Sequence, residues 1–225
     1  MRSEPASGKT DKPVLTETEN GLVLTDGTLS IMADLTAMLP RVAHGAYQHE
    51  MLVKAAKIRH AEGPLTAVDA TAGFGEDSLL LAAAGFTVTL CEYDPVIAAL
   101  LRDALKRAAE VPELKELAGR MTLVEGDSIA YLKTLETPPD LIYLDPMFPE
   151  RRKSGLIKKK FQLLQQLESP CSDTDGEALF AAALAAGPRK IVIKRPAKGP
   201  YLGGRKPDYS YDGKAIRYDC VAVRT

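Results

Sequence analysis

Asp145 ends an apolar run in "LIYLDPMFP" (residues 141–149), with Pro146 and Pro149 on either side of Phe148. A carboxylate on a stiff turn is suited to accept hydrogen bonds from an exocyclic amine. Such an amine is a weak nucleophile, because its lone pair is delocalised into the ring, and two acceptors on its N–H groups localise that pair. Asp145 and the carbonyl of Pro146 supply two acceptors, while the prolines fix the loop. Phe148 can stack on the base, a contact worth roughly 1–3 kcal/mol. Six cations follow directly: Arg151, Arg152, Lys153, Lys158, Lys159 and Lys160. Positive charge of that density attracts a phosphate backbone through counterion release, without reading base sequence. The same segment also fits a solvated helix start above Leu156, Ile157, Phe161, Leu163 and Leu164.

A second constellation lies upstream. "AVDATAGFGEDS" (residues 67–78) places Asp69 at the end of an apolar strand and Gly73 and Gly75 in the turn before a helix. Glycines let that turn bend sharply and let a ligand approach the backbone. Glu92 ends the next strand, where an acidic side chain can accept from ribose hydroxyls. A dinucleotide fingerprint wants a third glycine at position 78, and Ser78 stands there. Glu76 and Asp77 would repel a pyrophosphate, which normally docks on helix N-terminal donors. They suit a cationic ligand, and S-adenosylmethionine carries a sulfonium and an ammonium. The helix dipole alone would also favour two acidic residues there. Asp127 and Ser128 end the "MTLVEGDS" segment on the same edge, placed to meet an adenine. Asp145 should lie beside the same ligand.

These residues need strands that deliver them to one edge. From residue 65 the chain alternates apolar strands with helices, which implies an α/β fold with a mostly parallel sheet covered on both faces. "RKIVIKRP" and "IRYDCVAV" have no helix between them, so they should pair antiparallel and form a C-terminal edge. Lys194 and Arg195 end the first of these strands, placed either to hold RNA phosphates or to pair with the acidic residues. Arg205, Lys206 and Lys214 fall in a Gly/Pro/Tyr-rich loop, read as a mobile RNA-facing flap. Asp26-Gly27 marks a β-hairpin, and "RVAHGAYQHEMLVKAAKIR" has helical spacing, with Met51, Leu52, Ala55, Ala56 and Ile58 on one face. His44 and His49 are read as surface or RNA-contact residues, and no metal site is expected. The expected division is a flexible tail over 1–20, a hairpin and helix over 21–62, and a ligand-binding domain over 63–225.

Composition sets limits. With 45% apolar and 26% charged residues, the 225-residue chain has the balance of a soluble globular domain. No apolar run approaches the roughly 20 residues of a membrane span, and the first residues lack a secretory apolar segment. Cys91, Cys171 and Cys220 are too few and scattered for a disulfide framework or a zinc site. Reduced thiols and a cytoplasmic location are expected, with no membrane partner. The net charge of −1 hides an asymmetry: residues 145–225 hold 16 Lys+Arg and 9 Asp+Glu. A basic C-terminal part is compatible with a polyanionic partner.

"VDATAGFGEDSLLLAAAGFTVTLCEYDPVIAALLRDAL", "DPMFPERRKSGLIKKK" and "KIVIKRP", in that order, resemble the ribosomal RNA small subunit methyltransferase J family, the 16S rRNA guanine-N2 methyltransferases. The resemblance spans roughly residues 22 to 223. It implies a Rossmann-like class I methyltransferase with a seven-stranded sheet, S-adenosylmethionine as methyl donor and S-adenosylhomocysteine as product. The implied substrate is a guanine near the 3′ end of 16S rRNA, in free RNA or the 30S subunit. By position it implies cofactor contacts at Glu76, Asp77, Glu92, Tyr93, Asp127, Ser128 and Asp145. The chain departs from the family in a shorter N-terminal region and in "LPRVAHGAYQHEMLVKAAKI", which replaces a glycine-rich basic segment. On the residues alone three alternatives stay open: methylation of adenine N6 or a protein glutamine, a nicotinamide-dependent oxidoreductase, and a non-catalytic RNA-binding module.

Overall fold

The described residues, 12–61, 63–146 and 173–223 of this computed structural model, begin with a small antiparallel sheet. Its strands are β1 (Val14–Thr18), β2 (Gly21–Thr25) and β3 (Ser30–Ile31). The expected hairpin is β2–β3, closed where Asp26 Oδ1 accepts from the N–H groups of Thr28 and Leu29 and Gly27 takes φ 83°. Residues 14–18 fall in the stretch expected as a flexible tail and instead form β1. Val14, Leu15, Thr16 and Thr18 favour extended backbone, and β2 offers an edge for them to pair with. The sheet packs through Leu24 and Ile31 into the same core as the rest of the chain.

The helix expected over "RVAHGAYQHEMLVKAAKIR" is broken. After α1 (Leu39–Val42) comes a 3-10 stretch in which His44 (φ 50°) and Gly45 (φ 79°) are left-handed. That conformation cannot continue a right-handed helix. α2 (Met51–Ala56) then buries Leu52, Ala55 and Ala56.

The main sheet is built from β4 (Leu65–Asp69), β5 (Phe86–Glu92), β6 (Met121–Glu125), β7 (Leu141–Leu144), β8 (Lys190–Pro196), β9 (Tyr209–Asp212) and β10 (Ile216–Ala222). Its order is β6-β5-β4-β7-β8-β10-β9. β4 to β8 run parallel, β10 is antiparallel to β8, and β9 is antiparallel to β10. The expected antiparallel pairing at the C-terminal side is present. The stretch read as a mobile flap, however, contains β9, because Tyr209 and Tyr211 fit a pleated rim and complete the sheet.

The connecting helices are α3 (Glu76–Ala83), α4 (Pro95–Glu110), α5 (Pro112–Ala118), α6 (Ser128–Lys133) and α7 (Asp173–Ala185). α4 starts where Asp94 accepts from the N–H groups of Val96 and Ile97, with Pro95 in the first turn. Gly187 follows α7 with φ 64°, as expected of a helix stop. No helix among the described residues is long and apolar enough to cross a membrane. Cys91 and Cys220 are buried free thiols, and burial pushes Cys91 up to about 12; Cys171 lies outside the described residues.

Strand alternation divides the core. Leu141, Tyr143 and Val192 join the cluster with α3 and α4, whereas Ile142, Leu144, Ile191 and Ile193 join the cluster with α7. Lys194 shares the parity of Val192, and Arg195 that of Ile193. Arg195 is only 2% exposed, and its Nε and Nη2 donate to the carbonyl of Pro200 at 2.9 and 2.6 Å. Arg217 stands opposite it in register and donates to both oxygens of Asp219, at 2.8 and 3.0 Å. Its Nη1 also donates to the carbonyls of Pro196, Ala197 and Gly199. Two buried guanidinium groups thus organise the turn that leaves β8. Asp219→Ala would leave the Arg217 charge buried without its carboxylate. The expected loss is about 3 kcal/mol in denaturant unfolding, against under about 0.5 kcal/mol for Glu113→Ala on the exposed surface.

Candidate active site

The chain runs outward through β4, β5 and β6, then crosses to β7 on the other side of β4. The sheet therefore has its switch point between β4 and β7, where open α/β sheets bind ligands at the carboxyl ends of their strands. Asp69, Glu92, Asp127, Asp145 and Lys194 all reach that edge.

Asp69 is 1% exposed and turned into the protein. Its Oδ2 accepts from Ser78 Oγ at 2.5 Å and its Oδ1 from the Thr71 N–H at 3.0 Å. It braces the turn from within, so its role is to position rather than to contact a ligand. Burial raises its pKa to about 7. Thr71 Oγ1 in turn accepts from the N–H of Asp145 at 2.7 Å, tying the glycine turn to the end of β7.

Gly75 takes φ 79°, and a Cβ there would lie 2.7 Å from Leu101 Cδ1. Gly73, at φ 54°, has nothing within 4 Å of an added Cβ, so its backbone is open on the ligand side. Its N–H donates to Glu92 Oε2 at 2.8 Å, and the Asp94 N–H donates to Oε1 at 2.9 Å. Burial raises the Glu92 pKa, and these two N–H groups oppose the rise. Each oxygen keeps a lone pair for a hydroxyl. Tyr93 is 79% exposed next to it. Asp127 is exposed and caps α6 by accepting from the Ile129 N–H, with Ser128 as the first helical residue. Open glycine backbone, a braced carboxylate and an exposed aromatic could hold an adenosyl group, with Glu92 placed where it could accept from ribose hydroxyls.

Glu76 is exposed at the start of α3, but Asp77 is engaged within the protein. Its Oδ2 accepts from Tyr143 Oη at 2.6 Å and from Lys194 Nζ at 2.8 Å. Lys194 also lies 2.9 Å from Asp145 Oδ2. Of its two expected readings, Lys194 therefore takes the pairing with acids. Arg195, buried against Pro200, does not present its charge to a phosphate. Burial alone would lower the Lys194 pKa, but Asp77 and Asp145 outweigh it and raise it. Burial raises the carboxyl of Asp145, and Lys194 pulls it back in part. Pro146 is buried directly after it. Phe148, Arg151, Arg152, Lys153, Lys158, Lys159 and Lys160 lie outside the described residues.

Sequence reasoning missed Thr71, Tyr143 and Tyr218. Tyr143 carried a signal, as the one polar-tipped side chain in the apolar run "LIYL". Tyr218 is 4% exposed and opposite Lys194 in register, and only the strand pairing places it there.

Strand order, glycine turn and acidic strand ends together define a class I S-adenosylmethionine-dependent methyltransferase. Residues 8–222 match the family described as "Putative SAM-dependent methyltransferase". The chain is 45% identical over 181 residues to ribosomal RNA small subunit methyltransferase J of Thioalkalivibrio sulfidiphilus, covering 80% of this chain and 70% of that protein. It is 44% identical over 176 residues to the protein of that name from Pseudomonas paraeruginosa, covering 78% and 66%. A SAM-dependent methyltransferase from Neisseria gonorrhoeae superposes with a TM-score of 0.73 at 28% identity, covering 97% of this chain and 86% of that one. The chain belongs to the ribosomal RNA small subunit methyltransferase J family, and it spans about two thirds of the length of the relatives it matches.

Asp69 gives a pH test of the turn. An unfolded aspartate titrates near 3.8 and the buried one at about 7, so between those values the folded chain keeps a proton that the unfolded chain has lost. Wild-type stability therefore falls as pH rises through that window. The stability of Asp69→Asn relative to wild type should rise from pH 4 to 7 and level off above. Denaturant unfolding at stepped pH measures it, and the gain is on the order of a few kcal/mol.

Proposed function

We propose that this chain transfers the methyl group of S-adenosylmethionine to the exocyclic N2 of a guanine in small-subunit (16S) rRNA. The observation that carries the reading is Asp145, held at the switch point by Thr71 on its backbone and Lys194 on one carboxylate oxygen. Two relatives named ribosomal RNA small subunit methyltransferase J support the RNA substrate. That substrate places the reaction in the cytoplasm, on free 16S rRNA or the 30S subunit.

S-adenosylmethionine, when bound, supplies an electrophilic methyl carbon and a neutral thioether leaving group. Glu92 accepts from the ribose hydroxyls, while Tyr93, Asp127 and Ser128 border the adenine side and Glu76 lies near the turn. Asp145 Oδ1 and the Pro146 carbonyl accept the two N–H groups of the guanine amine, which aims its lone pair outward. The raised carboxyl pKa of Asp145 lets Oδ1 take the proton the amine sheds as its nitrogen is methylated. Lys194 holds Oδ2 and removes the repulsion between Asp145 and Asp77, so it is a positioning residue. Phe148 stacks on the target base, and Arg151, Arg152, Lys153, Lys158, Lys159 and Lys160 hold the surrounding RNA backbone. This chemistry sits in residues 63–225, with residues 21–62 as an added module.

Unmodified 16S rRNA, naked and assembled in 30S subunits, tests the reading with methyl-labelled S-adenosylmethionine. Label should appear at a single guanine, and Asp145→Ala should cut the rate at least about 100-fold, as for loss of a proton acceptor, while the fold is kept. Label confined to adenine or protein would overturn the reading. Lys194→Met removes the cation that lowers the Asp145 pKa, so the acid limb of its kcat profile should move to higher pH. Lys194→Arg should restore the wild-type limb in part.

A further inference from the structure

Tyr201 is 40% exposed, yet one face of its ring is covered by the Arg217 guanidinium, whose Cζ lies 4.8 Å from the ring centroid. That guanidinium is itself fixed by both oxygens of Asp219 and by the carbonyls of Pro196, Ala197 and Gly199. The ring therefore rests on a support with little freedom, and its open side faces away from the support. A surface tyrosine by itself means nothing. One held flat in advance costs little further ordering when something stacks on it.

Its place in the fold says what that partner is. In the turn that leaves β8, Tyr201 lies five residues past Pro196, the end of the strand. It therefore stands at the carboxyl edge of the sheet that also presents Asp145, on the Arg217 side of that edge rather than the Lys194 side. The Ala197 N–H donates to the Ala215 carbonyl at 2.9 Å, joining this turn to the one between β9 and β10. Each turn carries an exposed cation, Lys198 in the first and Lys214 in the second. An exposed aromatic face with a cation on each of two adjoining turns matches a nucleobase with its phosphates. Tyr209 is a built-in comparison. It is 43% exposed and lies over Lys190 Nζ at 5.6 Å, but both residues begin their strands and so stand at the opposite edge of the sheet.

We propose that Tyr201 is a stacking platform for an unpaired nucleobase of the RNA next to the target guanine, with Lys198 and Lys214 on its flanking phosphates. The proposal rests on RNA being the substrate. Base stacking on an aromatic side chain is worth roughly 1–3 kcal/mol, about 5- to 150-fold in affinity. Tyr201→Ala should raise KM for 16S rRNA at least about 5-fold, with kcat and S-adenosylmethionine affinity within about twofold of wild type. Tyr201→Phe should behave as wild type, and Tyr209→Ala should leave KM for RNA unchanged. The chain has no tryptophan, so Tyr201→Trp creates a single reporter. Its emission should be quenched by a short single-stranded oligoribonucleotide carrying the target guanine. If Tyr201 only shields the Arg217 ion pair, Tyr201→Ala lowers Tm without moving KM, and Tyr201→Trp emission stays constant with saturating RNA. Either result overturns the proposal. Wild-type protein that methylates no RNA would instead sink the reading of function, and the quenching still reports on stacking.

Discussion

The site depends on one cation between two carboxylates. Lys194 Nζ lies 2.8 Å from Asp77 and 2.9 Å from Asp145. Asp77 belongs to the first turn of the cofactor-side helix α3, and Asp145 to the end of β7 on the other side of the switch point. Without the cation, two acidic side chains would face each other in a half-buried place, and neither could be both ionised and fixed. With it, the start of α3 and the end of β7, on the two sides of the crevice, are joined by charge. Tyr143 adds a neutral donor to Asp77 from below.

A second tie runs through hydrogen bonds without a cation. Ser78 donates to Asp69, Asp69 accepts from Thr71, and Thr71 accepts from the backbone of Asp145. These bonds connect the interior of the glycine turn to the end of β7. Rigid strands on both sides set the geometry, so the turn needs little adaptation. Under the proposed function such preorganisation matters, because orienting the amine lone pair is most of what the protein must supply.

Much of this is legible in the amino-acid sequence. Strand and helix order followed from apolar runs and from punctuation by Gly75, Pro95 and Gly187. The edge residues Glu92, Asp127 and Asp145 followed from their places at strand ends. What the sequence could not show was direction within the site. Asp69 and Asp77 looked like ligand contacts because acidic residues at a turn look alike, but one braces the turn and the other binds Lys194. Arg195 looked like its neighbour Lys194, yet strand alternation sends the two to opposite faces. The left-handed kink at His44-Gly45 and strand β9 were hidden by local patterns that tertiary packing overrode. Thr71 carried no signal, since a threonine in a turn has many uses.

The proposed function requires a site shaped for an exocyclic amine rather than for a ring nitrogen or a hydroxyl. The most direct test is the identity of the product nucleoside. 16S rRNA treated with the protein and S-adenosylmethionine would be digested to nucleosides and analysed by mass spectrometry against standards. N2-methylguanosine is expected as the new species. Methyl on a ring nitrogen or a ribose oxygen would contradict it, because neither needs the paired acceptors of Asp145 and Pro146.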